Sequence, residues 1–554
     1  MAKVKRLGSK LTAKQWSILL TGFAILLWAY SLVQTKLKLD GYGLLHSYPV
    51  TFFISLGILT IASALLWVSR EKVGKLLFLQ LFFLIASLWL TSILIGGIGN
   101  SGPTFKASYS EFGNADFIVR QAHFNPDISW RLNWPGVYII TAEIVQVLKI
   151  GNPDFLLSLL PFLWQLVILL PLYLIFRNIL GDDQRNYRWA ALWILYLGGW
   201  SEVAVLHTQT ISNLFVFVLL AILTMKLLHK NFGLISSTIA SVIITASLTI
   251  THLMTSVVAT VMIFTMSIPK RVIDYGLVIV SFIFISAWLI YGTFTFFAGH
   301  LPAFVDKIIR LDVLVSTSVT AREVGDTAHQ TVVQARLLFT ILFGIIGIAG
   351  FLLGRKRKLN ADSTMVALGM AILAAAAVMG AGYGWETPQR FFFFLMVPVA
   401  YFTVKLLQRR AVAVILVIIL IVALPFYFVT HYGNQATDYS SPATMVSWHF
   451  FDDHTDHGIV LSDGPFGGTR NIEQYKVEYF TDFIGKTAPL ADLAFNYPQY
   501  ICVGKQDQAL FYYNYGLPDF IPGIASTLDA TKGDNIIYIN PDIRIHYNGM
   551  FSPG

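Results

Sequence analysis

The stretch Ala411-Val-Ala-Val-Ile-Leu-Val-Ile-Ile-Leu-Ile-Val-Ala-Leu-Pro-Phe-Tyr-Phe-Val-Thr430 runs for twenty residues without a charged side chain. A helix needs roughly 20 apolar residues to cross the hydrocarbon core of a bilayer, which is about 30 Å thick. Inside that core a backbone must satisfy its own hydrogen bonds, and a helix does so within one segment. The stretch therefore predicts a membrane-spanning helix.

Comparable apolar runs fill most of the chain before residue 411. Each is bounded by polar or basic residues, as the ends of membrane helices are. Together with the first stretch they predict about thirteen spans, near residues 15–33, 49–68, 76–97, 155–176, 188–204, 209–228, 233–250, 252–268, 272–297, 335–354, 363–384, 391–408 and 411–430.

The composition of the whole chain agrees with this pattern. Of 554 residues, 55% are hydrophobic and only 13% are charged, and the mean hydropathy is +0.64. Soluble domains carry about a quarter charged residues. The composition excludes a soluble single domain, a disordered protein and a coiled coil. The fold class predicted is a polytopic all-α membrane protein with a small C-terminal α/β domain.

The distribution of basic residues predicts the orientation in the membrane. With the N-terminus in the cytoplasm, the inner segments hold 22 Lys and Arg, and the outer loops before residue 431 hold eleven. Cytoplasmic loops of membrane proteins carry such an excess. The sequence therefore predicts a multi-pass protein of the plasma membrane, with a cytoplasmic N-terminus and an extracytoplasmic C-terminal domain. Lipids surround it, and the distribution of charge argues against nucleic acid as a partner.

The sequence divides into a membrane domain, 1–430, with long outer loops at 98–134 and 298–334, and a tail, 431–554. The tail has six Lys and Arg against fourteen Asp and Glu. Its short apolar runs predict strands at 458–462, 500–504 and 535–539, and helices at 442–451 and 471–484. The lone cysteine, Cys502, excludes an intrachain disulfide.

The first long outer loop holds the most distinctive polar residues. It contains Glu111 and Asp116, and it continues with Asn133-Trp134-Pro135. An amphipathic segment follows at 135–150, which predicts a helix lying at the outer membrane surface. Gly151-Asn-Pro-Asp-Phe-Leu-Leu157 then opens the next span.

This order of features resembles the GT-C glycosyltransferases, among them protein O-mannosyltransferases, aminoarabinose transferases and oligosaccharyltransferases. The resemblance implies an enzyme that uses a polyprenyl-phosphate-linked sugar, with a catalytic acid in the first outer loop. Asp116 occupies the place of that acid, and Glu111 is the nearest second acid. In the second outer loop, the piece from Thr320 to Glu323 is similar to the Thr-Ile-x-Glu motif of the oligosaccharyltransferases.

Several other polar residues at outer ends of spans are candidates for the same site. Arg390, at the start of the twelfth span, is placed like an Arg that contacts the lipid phosphate in many GT-C members. Arg131 and Arg336 are further candidates for the phosphate. Glu202 and His207 lie in the break between the fifth and sixth spans, on the outer side, and form a candidate acceptor or second acidic site. Each of these residues could instead be an ordinary interfacial charge or a helix cap.

Cofactor and acceptor stay open at this point. No cofactor is required by the sequence, although Asp116, Glu111 and Glu202 are candidate ligands for a divalent metal, Mg²⁺ or Mn²⁺. The acceptor is a glycan, a protein or a lipid. Asp116 as general base would give transfer with inversion. The alternatives are a polysaccharide polymerase or ligase with lipid-diphosphate donors, a transporter or flippase, and an inactive GT-C scaffold in the cell envelope.

Overall fold

The chain is described by a computed structural model with side chains. The residues that it describes are 11–96, 105–151, 153–202, 206–228, 234–268, 275–294, 296–299, 302, 324–354, 359–383, 386–455, 457–463, 470–483, 498–530 and 534–548.

Most of the described residues before 433 are helical. The helices are α1 (Ala13–Gln34), α2 (Val50–Trp67), α3 (Gly74–Trp89), α4 (Thr91–Gly96), α5 (Ala107–Gln121), α6 (Gly136–Leu148), α7 (Asp154–Leu180), α8 (Arg185–Gly198), α9 (Thr208–Leu228), α10 (Leu234–Thr251), α11 (Leu253–Ser267), α12 (Tyr275–Ala287), α13 (Thr327–Leu353), α14 (Leu359–Tyr383), α15 (Glu386–Thr403) and α16 (Arg410–Tyr432).

Many of these helices have the length and composition of membrane spans. Within the described residues, eight are long and apolar enough to cross a bilayer, and five apolar helices are shorter. The predicted number of thirteen spans is therefore supported only in part. The outer faces of the bundle are apolar: Leu26 and Val33 of α1 are 72% and 85% exposed. A contiguous apolar surface of this kind is stable against lipid and unfavourable in water.

Helix α15 lies in the middle of the bundle, packed against α8, α13 and α14. The four phenylalanines from Phe391 to Phe394 are all buried. Their burial explains why an aromatic run follows the polar start of this helix. The apolar turns of α15 occupy the core of the bundle, and its first turns, with Gln389 and Arg390, lie at the polar end of the bundle. The bundle therefore holds Arg390 in a fixed place.

The tail forms a mixed sheet with helices. Its described elements are α17 (Pro442–His454), β1 (Gly458–Leu461), β2 (Tyr475–Glu478), β3 (Tyr500–Gly504), α18 (Lys505–Tyr515), α19 (Phe520–Asp529), β4 (Asp534–Ile539) and β5 (Ile543–Asn548). The strand order is β2-β1-β3-β5-β4, in which β1 runs parallel to β2 and β3 while β5 runs antiparallel to β3 and β4.

The three strands and the helix at 442–451 predicted in the tail are confirmed. The helix predicted at 471–484 is wrong, because Tyr475–Glu478 is a parallel strand that pairs with β1 in the register Gly458–Tyr475. Tyr475 is buried against the rings of Phe451 and Tyr500. Packing against these rings and pairing with β1 together outweigh the local preference of a four-residue segment.

The tail shares an apolar core with α5 and α6. This common core contains Tyr109 and Phe112 of α5, Tyr138 of α6, and Trp448, Phe451, Val460 and Tyr500 of the tail. The Tyr109 ring meets the Trp448 ring edge-to-face, with centroids 4.2 Å apart. At the start of α5, the Lys106 amide donates to the Asp438 carbonyl at 2.8 Å. The tail is thus packed directly on the segment that carries the predicted catalytic acids.

A tight turn at Gly43 gives a test of the packing at this end of the bundle. Gly43 has a φ of +70°, and a Cβ there would lie 1.5 Å from the Tyr432 carbonyl oxygen. We expect Gly43→Ala to lower the free energy of unfolding by about 3 kcal/mol or more, since neither the conformation nor the space suits a side chain. Thermal unfolding in detergent measures the effect.

The matched control is Gly22→Ala in α1, where a new Cβ has no neighbour within 4 Å. This variant should unfold at or slightly above the wild-type temperature, because alanine is the better helix former. Equal unfolding temperatures for the two variants would contradict the close approach at Gly43.

Candidate active site

Helix α5 brings Glu111 into a buried cluster. The Glu111 side chain is 2% exposed, and its Oε1 accepts a hydrogen bond from Arg131 Nε at 3.1 Å. The hydroxyl of Tyr138, on α6, donates to Oε2. Burial raises the pKa of the Glu111 carboxyl, and the positive charge of Arg131 and the hydrogen bond from Tyr138 oppose that rise. Such an environment is typical of a carboxylate that exchanges protons.

Two further groups complete what we call the Glu111 cluster. His207 Nε2 lies 3.8 Å from Glu111 Oε1. Arg390 is close enough that its positive charge lowers the pKa of both Glu111 and His207. Burial is the largest cause of the lowered His207 pKa, so this imidazole is neutral at physiological pH. The cluster therefore combines one carboxylate, one neutral imidazole and two guanidinium groups.

The helices explain why these residues meet. His207 lies directly before α9, Arg390 lies in the first turns of α15, and Arg131 lies in a single 3₁₀ turn, Trp130–Asn133, ahead of α6. His252, the N-cap of α11, has its ring centroid 6.1 Å from that of His207. All of these positions fall at the polar ends of apolar helices, on the side of the bundle where the tail packs.

Asp116 faces a different set of partners. Its Oδ2 accepts from Arg120 Nε at 3.0 Å and its Oδ1 accepts from Arg470 of the tail at 2.8 Å. Arg120 also pairs with Glu473 of the tail. Asp116 is buried, so these two guanidinium groups compensate its charge and join α5 to the tail.

Glu111 and Asp116 thus act in separate clusters. The five residues between them correspond to about 140° around a helix, at 3.6 residues per turn. The prediction that both acids serve one site is therefore not supported by a shared partner, and the role of each stays a prediction.

Glu202 and His207, predicted as one pair, also contact different groups. Glu202 Oε2 accepts from Asn213 Nδ2 at 2.8 Å, whereas His207 faces Glu111. Glu202 is buried in the connection between α8 and α9, and burial raises its pKa to about 8. It lines a cavity of about 400 Å³ together with Arg336.

Arg336 is held away from the Glu111 cluster. Its Nε donates to the Thr430 carbonyl at 2.8 Å, and Nη2 donates to the Gly433 carbonyl at 3.2 Å. Thr320 and Glu323 lie outside the described residues. Three of the predicted residues, Arg131, His207 and Arg390, are therefore assembled around Glu111. Arg336 and Glu202 instead line the cavity of about 400 Å³.

The three candidate metal ligands do not form one site. Glu111, Asp116 and Glu202 lie in the separate surroundings given above, and the described residues contain no group of three or more His, Cys, Asp or Glu side chains placed to hold a metal. Within the described part of the chain these three acids are therefore not assembled around one ion, and no chemical step is assigned to a metal.

Sequence reasoning missed several residues around these carboxylates. Tyr138 lies three residues after Pro135, and its closeness to the Asn133-Trp134-Pro135 motif was the available signal. Arg470 and Glu473 are separated from Asp116 by more than 350 residues, and no local pattern links them.

Comparison with solved structures finds an oligosaccharyltransferase of the archaeon Archaeoglobus fulgidus. Its structure in complex with Zn and sulfate is 10% identical, with a TM-score of 0.47, and covers 80% of this chain and 70% of that one. The structure tethered with an acceptor peptide is 11% identical, with a TM-score of 0.48 and coverage of 86% and 74%.

A third structure, in complex with an inhibitory peptide and a dolichol-phosphate, is 10% identical, with a TM-score of 0.45 and coverage of 87% and 75%. Neither a family model nor a curated protein matches the sequence. Oligosaccharyltransferases are among the enzymes that the sequence resembles.

The raised pKa of Glu202 predicts a pH dependence of stability. A carboxyl whose pKa rises from 4.5 to about 8 on folding favours the folded state fully below pH 4.5, and this contribution is lost as the pH rises toward 8. We expect Glu202→Gln to weaken the fall in unfolding temperature between pH 5 and 8. Thermal unfolding in detergent across that range measures it.

The control is Glu143→Gln, which replaces an exposed carboxylate on α6. This variant should keep the wild-type pH profile. A Glu202→Gln profile that also matches the wild type would show that Glu202 does not titrate in this range.

Proposed function

We propose that the chain is an integral membrane glycosyltransferase of GT-C type. It transfers a sugar from a polyprenyl-phosphate donor to a glycan, protein or lipid acceptor at the outer face of the cell membrane. The observation that carries the proposal is the Glu111 cluster: a buried carboxylate beside two guanidinium groups, at the polar ends of apolar helices.

The charges of the cluster suit a phosphate ester. A lipid-linked sugar keeps its tail in the hydrocarbon region and its phosphate at the surface. Arg390 lies near the N-terminal end of α15 and is placed to meet that phosphate. A guanidinium binds a phosphate strongly, and it stabilises the negative charge that the leaving phosphate gains. Arg131 is already hydrogen-bonded to Glu111, so we assign the phosphate to Arg390 and the orientation of the carboxylate to Arg131.

Glu111 supplies the base. The acceptor hydroxyl or amide attacks the anomeric carbon, the bond from that carbon to the phosphate oxygen breaks, and the phosphate leaves with the bonding electrons. The acceptor proton passes to Glu111, whose raised pKa favours receiving it. One displacement of this kind inverts the anomeric carbon. Asp116, with both oxygens on guanidinium groups, would have to break two ion pairs to do the same.

The position of the tail supports an acceptor that arrives from outside the membrane. The tail packs on α5 next to both acids, and the charge asymmetry of the sequence favours an extracytoplasmic tail. The polymerase or ligase with a lipid-diphosphate donor is the second candidate, since it would also need Arg390 and His207, but it would not need a buried loop carboxylate.

Loss of a single carboxylate distinguishes these possibilities. We expect the purified protein, supplied with polyprenyl-phosphate sugars and a membrane extract as the acceptor source, to release free polyprenyl phosphate. Glu111→Gln should lower the rate by about a hundredfold to ten-thousandfold, because a general base contributes that much. In the wild type the rate should fall as the pH drops below the raised pKa of Glu111.

Asp116→Asn is the comparison variant. It should lower the unfolding temperature more than it lowers the rate per folded molecule, because it weakens the contact between α5 and the tail. A loss of rate in Asp116→Asn at unchanged stability, with Glu111→Gln active, would make Asp116 the base. Release by neither the wild type nor the variants, over a panel of sugars, would contradict the donor class.

A further inference from the structure

The cavity lined by Glu202 and Arg336 lies between the polar end of the bundle and the tail. Its volume is about 400 Å³, within the range of small-molecule sites. The wall is built from the connection between α8 and α9, from α13, α15 and α16, and from the end of α18. It is unlike the lipid-facing cleft between α13, α14 and α15, whose lining is apolar.

The wall of this cavity contains an unusual concentration of incomplete hydrogen bonding. Four of its residues have a buried side-chain atom that finds no hydrogen-bond partner among the described residues: Ser201 Oγ, His431 Nε2, Asn434 Oδ1 and Asn514 Oδ1. A buried polar group without a partner is unfavourable. Four such groups on residues that line one cavity indicate a wall that can turn polar atoms toward a polar occupant.

The hydrogen bonds that are made define what the wall offers. His431 Nδ1 donates to the Trp200 carbonyl at 2.6 Å, so in the neutral ring Nε2 is an acceptor. The amide nitrogen of Asn434 donates to His329 Nδ1 at 2.7 Å, which leaves the side-chain oxygen of Asn434 as an acceptor. Asn514 adds a third acceptor oxygen. The occupant must therefore donate several hydrogen bonds.

A carbohydrate meets this requirement and a bare phosphate does not. Sugar hydroxyls donate as well as accept, whereas the oxygens of an ionised phosphate chiefly accept. Ser201 can serve either role, and Arg336 supplies donors for ring or hydroxyl oxygens. Phe105 and Tyr515 add flat apolar surface to the wall, as is common in small-molecule sites.

The cavity adjoins the Glu111 cluster along two segments of chain. Gln389 lines the cavity, and the next residue, Arg390, acts on the cluster. Glu202 lines the cavity, and His207, five residues later, faces Glu111. A ligand with its phosphate at Arg390 is thus next to the cavity.

We propose that this cavity binds the sugar part of the lipid-linked substrate, with Ser201, His431, Asn434 and Asn514 as its hydrogen-bonding wall. The proposal rests on the function proposed above, and it makes the tail part of the donor site, because Asn514 and Tyr515 come from α18. Side-chain rotations on binding would turn the unpaired atoms toward the sugar hydroxyls.

Ligand-induced stabilisation tests the proposal without a need for turnover. The probes are a polyprenyl phosphate, and the same lipid carrying glucose, mannose or N-acetylglucosamine on its phosphate. A ligand that binds only the folded state raises the unfolding temperature, and the stabilisation grows with the logarithm of the ligand concentration divided by Kd, so a concentration series gives the affinity. For the wild type we expect at least one sugar-bearing lipid to bind tenfold or more tightly than the bare lipid.

The variants Asn514→Leu and Ser201→Val should remove that tenfold advantage and leave the affinity for the bare lipid unchanged. Two variants are used, from different walls, so that a folding defect in one does not decide the result. Asn535→Leu, at an exposed position on β4, is the matched control and should bind like the wild type.

Equal affinities for bare and sugar-bearing lipids in the wild type, or an advantage that both variants keep, would show that the cavity holds water only and would overturn the proposal. The proposed function fails in a different way: the bare lipid would not bind, or Arg390→Gln would not weaken its binding. In that case the proposal of a sugar site is contradicted as well.

Discussion

The burial of two carboxylates on one short helix is the constraint on which this end of the molecule depends. Helix α5 presents Glu111 toward the bundle and Asp116 toward the tail, and each is nearly without solvent. A buried charge must be compensated. Arg131 and Tyr138 are therefore required on one side, and Arg120 and Arg470 on the other. Because the charges of both acids must be compensated, α5 is held between the helical bundle and the tail, which are far apart in sequence.

The features that the sequence could predict are those set by local composition. Spans such as 411–430 follow from their apolar length, and the strand at 500–504 follows from a short β-branched run between turn residues. The prediction of a helix at 471–484 was wrong because distant residues, not local composition, set the structure of that segment. Whether Tyr475–Glu478 is helix or strand is decided by β1, Phe451 and Tyr500, none of which its own residues reveal.

The same reasoning applies to the candidate site. Glu111, Arg131, His207 and Arg390 were found because polar residues at span ends are conspicuous against an apolar background. That Glu111 and Asp116 belong to different clusters was not predictable, since their spacing allows either face of α5 to meet the bundle. One partner of Asp116, Arg120, lies on α5 itself, but the other, Arg470, comes from a domain that begins more than 300 residues later. Only tertiary packing assigns one acid to the bundle and the other to the tail.

The apolar core shared by α5, α6 and the tail has a consequence for biosynthesis. Helix α5 leaves the ribosome long before α17 exists, and the intervening chain takes tens of seconds to make at about 5–20 residues per second. During that time Tyr109 and Phe112 lack the rings that cover them in the finished protein. The nascent chain therefore carries an open apolar patch at the membrane surface, a site for a chaperone or for temporary burial in lipid headgroups.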